Sequence, residues 1–176
     1  MKTMMATIVM VILPAVMVAQ VMDADGWNGA KWGMTPEQVK AAVNCPLERE
    51  TYFLHAGTPR YVLSSTEPFK LLDIPVRAFF SFSTDNKLAS ILLRVEIVFL
   101  KSTHSHSDLF YRFKQSLTEK YGKPSYTDDN GRDVVWRLPS TSISLQWTTL
   151  GGDAFIGVTY KADNKATYSK LTTVPL

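Results

Sequence analysis

The residues best suited to chemistry lie at His104-Ser105-His106, with Asp108 just beyond. In extended backbone, residues i and i+2 point to one side, so His104 and His106 could share a metal ion with Asp108 as a third ligand. That arrangement would support a small metal-dependent enzyme or hydrolase. The same run also reads as a solvated loop feeding a helix, and this second reading is preferred: His55 is remote and no other metal-ligand spacing occurs. A serine hydrolase built on a nucleophile elbow would show G-x-S-x-G, which the chain lacks. Asp128-Asp129-Asn130-Gly131 resembles a fragment of a calcium loop, without the alternating ligands or distal Glu that close such a site, so it reads as a turn. Glu48, Glu50, Glu67 and Glu96 could supply a glycosidase pair, but their order along the chain does not set the separation that reaction needs. No catalytic residue, metal ligand or cofactor is therefore assigned.

The aromatic residues offer binding instead. Trp136 and Trp147 fall on the apolar side of alternating segments and belong to a core. Trp27 and Trp32 sit in a Gly-rich loop ahead of a helix, where large rings in a polar rim make binding anchors. Cys45 stands alone, so no intramolecular disulfide forms, and it reads as a small half-buried hydrophobe.

These residues need elements to position them. Thr35-Pro36-Glu37-Gln38 combines an N-cap, Pro at the first helical position and a capping-box Gln, with Met34 and Val39 at the staple positions. It predicts a short helix from about Pro36 to Asn44. Leu109, Phe110, Phe113, Leu117 and Tyr121 recur at helical spacing, with Ser105 or Ser107 as cap and Gly122-Lys123-Pro124 as stop.

Elsewhere the period is two. A loop at Thr84-Asp85-Asn86-Lys87 predicts a hairpin pairing Phe82 with Ala89, Phe80 with Ile91 and Ala78 with Leu93. A turn at Pro139-Ser140-Thr141-Ser142 pairs Leu138 with Ile143, Trp136 with Leu145 and Val134 with Trp147. Further strands are expected near Arg60 to Ser65 and from Phe155 to Lys161. The expected fold class is α+β: two consecutive helix-plus-three-strand units forming an antiparallel sheet, helices packed on one face.

Lys2 precedes an apolar run from Met4 to Ala19, then Gln20 and Asp23-Ala24-Asp25. This is the pattern of an export signal, with cleavage after Ala19 as first choice and after Ala24 as alternative. Pro14 and Gln20 argue against a retained membrane anchor. Residues 1–24 are thus assigned to signal and cleavage region. Residues 25–176 form one α+β domain with pseudo-repeat halves at about 33–100 and 104–162 and a loose polar tail. Of 19 basic and 16 acidic residues, removing residues 1–19 takes away only Lys2, so the exported chain is nearly neutral. The charges are interspersed, which sets nucleic acid aside as a partner. The expected location is periplasmic or secreted.

Gly33-Met34-Thr35-Pro36-Glu37-Gln38-Val39 is similar to the G-M-T-x-x-Q-V helix start of the small BAM-complex lipoprotein family (BamE/SmpA), whose modules, like the beta-lactamase inhibitor proteins, join helices to an antiparallel sheet. Trp32-Gly33-Met34-Thr35 and Tyr121-Gly122-Lys123-Pro124 together also resemble small exported bacterial proteins. The match is continuous over the first helix only. The chain lacks those lipoproteins' lipid-attachment cysteine, and Asn44-Cys45-Pro46 replaces their L-G-x-P. The resemblance implies a non-enzymatic protein-binding or scaffolding module, its partner another envelope or secreted protein.

Overall fold

The computed structural model of the protein describes residues 23–53, 59–96, 105–150 and 153–163. Ahead of the first helix, β1 (Gly26–Trp27) and β2 (Ala30–Lys31) pair as a short antiparallel ribbon. Thr35 then caps α1 (Pro36–Ala42). Its hydroxyl accepts the Gln38 N–H at 3.4 Å, and its own N–H donates to Gln38 Oε1 at 2.9 Å, so two otherwise unpaired amides are satisfied reciprocally. The helix is shorter than expected: Val43 is already extended at the C-cap. Gly33 turns at φ +80°, which suits glycine, and joins the large sheet. Its N–H donates to Leu88 O at 3.1 Å, and Leu88 N–H donates to Met34 O at 2.8 Å.

The main sheet has nine strands: β3 (Leu47–Phe53), β4 (Pro59–Ser65), β5 (Phe69–Leu71), β6 (Ile74–Phe82), β7 (Leu88–Val95), β8 (Tyr126–Thr127), β9 (Asp133–Arg137), β10 (Thr141–Leu150) and β11 (Asp153–Ala162). Their order is β3-β4-β6-β7-β11-β10-β9-β8, with β5 continuing the β4 side of β6, and every pairing is antiparallel. Its inner face carries Leu63, Phe80, Ile91, Leu93, Trp136, Ile143, Leu145, Ile156 and Val158, each at most 1% exposed. The helix α2 (His106–Tyr121) buries Leu109, Phe110, Phe113, Leu117 and Tyr121 in this core, lying against β10 and β11. Trp136 Nε1 donates to Gly122 O at 2.9 Å, fastening the end of α2 to β9. Tyr160 meets Tyr121 beneath α2; burial, reinforced by that neighbour, pushes its phenol pKa above the ordinary range.

This architecture overturns the expected fold class. The protein is mostly β, with a nine-stranded antiparallel sheet, a separate ribbon and, among the described residues, two short helices; it is not two helix-plus-three-strand units. The additional strands have physical reasons to be hard to read. β3 is an edge strand, with Glu48 and Arg49 exposed among its side chains, so its alternation is diluted. β5 and β8 have three and two residues, too few for a period.

Two registers also differ from expectation. Phe80 pairs with Ile91 and Ala78 with Leu93 as expected, but a bulge after Ser81 sets Phe82 opposite Leu88. The bulge brings the larger Leu88 to 2% exposure and leaves Ala89 half-buried. In the second hairpin Ile143 pairs with Trp136 and Leu145 with Val134, two residues away from the expected register. The turn is tighter, Leu138 N–H donating to Thr141 O at 2.8 Å across Pro139-Ser140. A two-residue shift keeps every side chain on its face, so alternation alone does not distinguish the registers. Ser105 holds the cap position of α2 without a side-chain cap bond. The expected leader, His55, His104, the Gly151-Gly152 turn and the tail beyond residue 163 lie outside the described residues.

Candidate binding face

The strand registers lay the outer face out in rows. One row crosses the sheet as Tyr126, Val135, Ser144, Thr159, Leu92, Phe79, Ser64 and Glu48. A second runs Asp133, Gln146, Gly157, Arg94, Arg77. A third runs Arg137, Ser142, Lys161, Ser90, Ser81, Val62, Glu50. The two ends of these rows have different characters.

At the β4–β6–β7 end the groups engage one another. Arg77 and Arg94 face each other directly, an unfavourable pair. Each turns elsewhere: Arg77 Nε donates to Ser65 O at 3.1 Å and its guanidinium lies 3.9 Å from Glu50, while Arg94 stacks over the Phe79 ring at 4.6 Å. Ser64 donates to the same Glu50 carboxylate at 2.6 Å. Phe79 and Val62 are each 4% exposed despite lying on the outer face. Gly157 belongs to this packing: a Cβ there would meet the Phe155 ring at 3.0 Å and Leu92 at 3.1 Å.

Over β9 and β10 the face opens into a groove of about 590 Å³, lined by Asp133, Val135, Arg137, Ser142, Ser144, Gln146 and Asp163. That volume lies in the range of ligand clefts, about 300–1,000 Å³. Small hydroxyls form its floor, and Tyr126, 54% exposed, stands beside Val135 at its edge. The side chains of Arg137, Ser142 and Ser144 make no hydrogen bond to another side chain among the described residues. Among the described residues, Asp133 Oδ1 is shielded yet accepts no hydrogen bond, and Oδ2 has only a long contact, 3.5 Å, from Gln146 Nε2. An acceptor left in this state is costly unless something else meets it.

Asp133 and Gln146 also border a second hollow, with Asp128, Asn130, Arg132, Trp147 and Thr148. Arg132 stacks over the Trp147 ring at 4.5 Å, and the half-buried ring meets Phe110 and His106 on its inner side. The Asp128 loop is a turn held by its own backbone: Asp128 Oδ1 accepts from Arg132 N–H at 2.7 Å and Asp133 N–H at 2.8 Å. Those amides, that of Asp133 first, hold the carboxyl below its usual pKa. Asp85 is lowered likewise, chiefly by the Ser83 hydroxyl. Among the described residues no group of three or more His, Cys, Asp or Glu side chains gathers to hold a metal ion, and no helix is long and apolar enough to cross a membrane.

Trp27 and Trp32 lie apart from the groove and from each other's contacts. Trp27 is half-buried, edge-on to Phe69 at 5.0 Å and tilted against Phe80 at 6.4 Å. Trp32 is also half-buried, its Nε1 donating to Thr141 Oγ1 at 2.7 Å and to Ala24 O at 3.2 Å. Both pack against the core. The groove residues carried no signal in the sequence beyond that of an ordinary solvated strand face. What sets them apart is the unmet Asp133 oxygen and, among the described residues, no mutual pairing beyond the long Gln146–Asp133 contact, and both depend on register.

A mostly β, antiparallel domain with a sealed inner face and a polar groove on the outer one is the class of molecule these residues build. The chain belongs to the TP0088 domain family, whose model matches residues 25–161, from just before the ribbon to the penultimate residue of β11. No curated protein and no solved structure matches it.

Proposed function

We propose that this protein is an exported, non-enzymatic binding or scaffolding module of the bacterial envelope, capturing another envelope or secreted protein on the outer face of β8 to β11. The observation that carries the reading is the groove over β9 and β10, where Asp133 keeps an unmet oxygen and, among the described residues, Arg137 and two serines make no hydrogen bond to another side chain. Tyr126 supplies an exposed aromatic at its rim, the residue type enriched at interfaces. The Lys2-led apolar run supports export to the periplasm or beyond, and the helix start similar to the BAM-complex lipoproteins supports a scaffolding role. Trp27 and Trp32 are a second contact surface in this reading, through the parts of their rings that face solvent.

Site-specific photo-crosslinking in cells exporting the protein tests it. A crosslinking residue at Gln146 should give one discrete protein adduct, lost on Arg137→Glu. The same residue at Tyr111, 63% exposed on α2, should give none. An adduct from Tyr111 alone would place the interface elsewhere and reject the groove.

A further inference from the structure

The residues just ahead of the ribbon are built into the fold. The carbonyl of Ala24 accepts from Trp32 Nε1 at 3.2 Å and Ser140 Oγ at 3.3 Å, and also from the Thr141 hydroxyl. Thr141 has no exposed surface. Asp23 adds a second anchor, its Oδ1 accepting the Ser140 N–H at 3.2 Å. Ser140 belongs to the Pro139-Ser140 turn that sets the β9–β10 register, and its own carbonyl accepts the Asp163 N–H at 2.8 Å, at the end of β11. One turn thus gathers the start of the domain, the last strand and, through Trp32, the helix-start motif.

We propose that the signal is removed on the N-terminal side of Asp23, at the Ala19–Gln20 bond, so that Asp23 and Ala24 stay in the mature protein as a strap over the Pro139-Ser140 turn. The inference rests on the export reading. Hydrolysis adds one water across the bond, leaving a carboxylate on Ala19 and an ammonium on Gln20, and keeps the Ala24 carbonyl in the mature chain. The competing bond, Ala24–Asp25, has the same small residue before it but a different consequence. Cutting there carries the Ala24 carbonyl away with the signal, and three donors lose their shared acceptor. One of them belongs to Thr141, which has no exposed surface in the intact chain, and a donor that loses its acceptor costs stability. It also puts a new ammonium beside Asp25, whose carboxylate already pairs with Lys31 at 3.0 Å and whose carbonyl accepts the Trp32 N–H.

Two measurements test this. Chains beginning at Gln20 and at Asp25 are released from a cleavable fusion, so that no initiating Met supplies a substitute carbonyl, and their thermal unfolding is compared. The Asp25 chain should melt lower by about 5 °C or more, or fail to fold, and Thr141→Val should lower the midpoint of the Gln20 chain more than that of the Asp25 chain. Equal midpoints for the two chains would overturn the strap. This comparison does not depend on export. Second, the full chain is exported from a bacterium and the product's N-terminus sequenced. A start at Gln20 is expected, a start at Asp25 overturns the assignment, and retention of Met1 overturns both the cut and the export reading.

Discussion

The two ends of the outer sheet face carry similar residue types and use them differently. Around β3, β4 and β6, Glu50 holds Ser64 and Arg77 together, Arg77 adds a backbone carbonyl, and Arg94 covers Phe79. Around β9 and β10, Arg137, Ser142 and Ser144 stand over a groove without such partners among the described residues, and Asp133 keeps an unmet oxygen. Polar groups that satisfy one another serve the fold, and removing one leaves its partner stranded. Polar groups with no internal partner cost the fold little when removed. The contrast therefore separates residues kept for stability from residues available for binding.

The sharpest way to break that contrast is to cross the sheet at a single strand. Leu145, with no exposed surface, and Ser144, on the groove floor, are chain neighbours on opposite faces. Leu145→Ala should destabilise by about 2–5 kcal/mol through a core cavity, while Ser144→Ala stays within about 0.5 kcal/mol. Denaturant unfolding reads both, and a costly Ser144→Ala would make the groove floor structural. A smaller effect compares the two ends of the face directly. Glu50→Ala should cost about 1 kcal/mol, since it strands a hydroxyl and a part-exposed guanidinium whose pairing water already weakens. Gln146→Ala should cost close to nothing; equal losses would erase the distinction drawn between the two ends.

The smallest effect is a pH dependence at the groove's border. Asp128 has its carboxyl pKa lowered below 3.8 by backbone amides. A group lowered on folding contributes stability above its unfolded pKa and loses it as pH falls through the folded value. The stability gap between the wild type and Asp128→Asn should therefore be widest near neutrality and shrink as pH drops below about 4. A gap constant from pH 7 to acid would mean that the turn does not depend on the charge.

What the sequence disclosed followed the strength of local chemistry. The Thr35 capping box and the Gly122 stop mark helix ends through side-chain and backbone preferences that act within four residues, and the structure carries both. Phe80 facing Ile91 was legible because a one-residue slip would expose an entire apolar set. The β9–β10 register was not, since a slip of two residues leaves both faces unchanged. β3 was missed because an edge strand with Glu48 and Arg49 among its side chains hides its period. The groove was illegible for a deeper reason. It arises where β9 and β10 meet the end of β11 at Asp163, and no local pattern announces which strands become neighbours.

The join between β7 and β11 has a kinetic meaning. Ser90 pairs with Lys161 across about 70 residues of intervening chain, so this contact comes late and loop closure makes it slow. Until β11 arrives, β7 and β10 are two long unpaired edges, the kind that recruits other chains. A chain that stops short of Asp153 is therefore not a smaller version of this domain. It is a pair of open half-sheets, and aggregation should set in with the loss of that one strand.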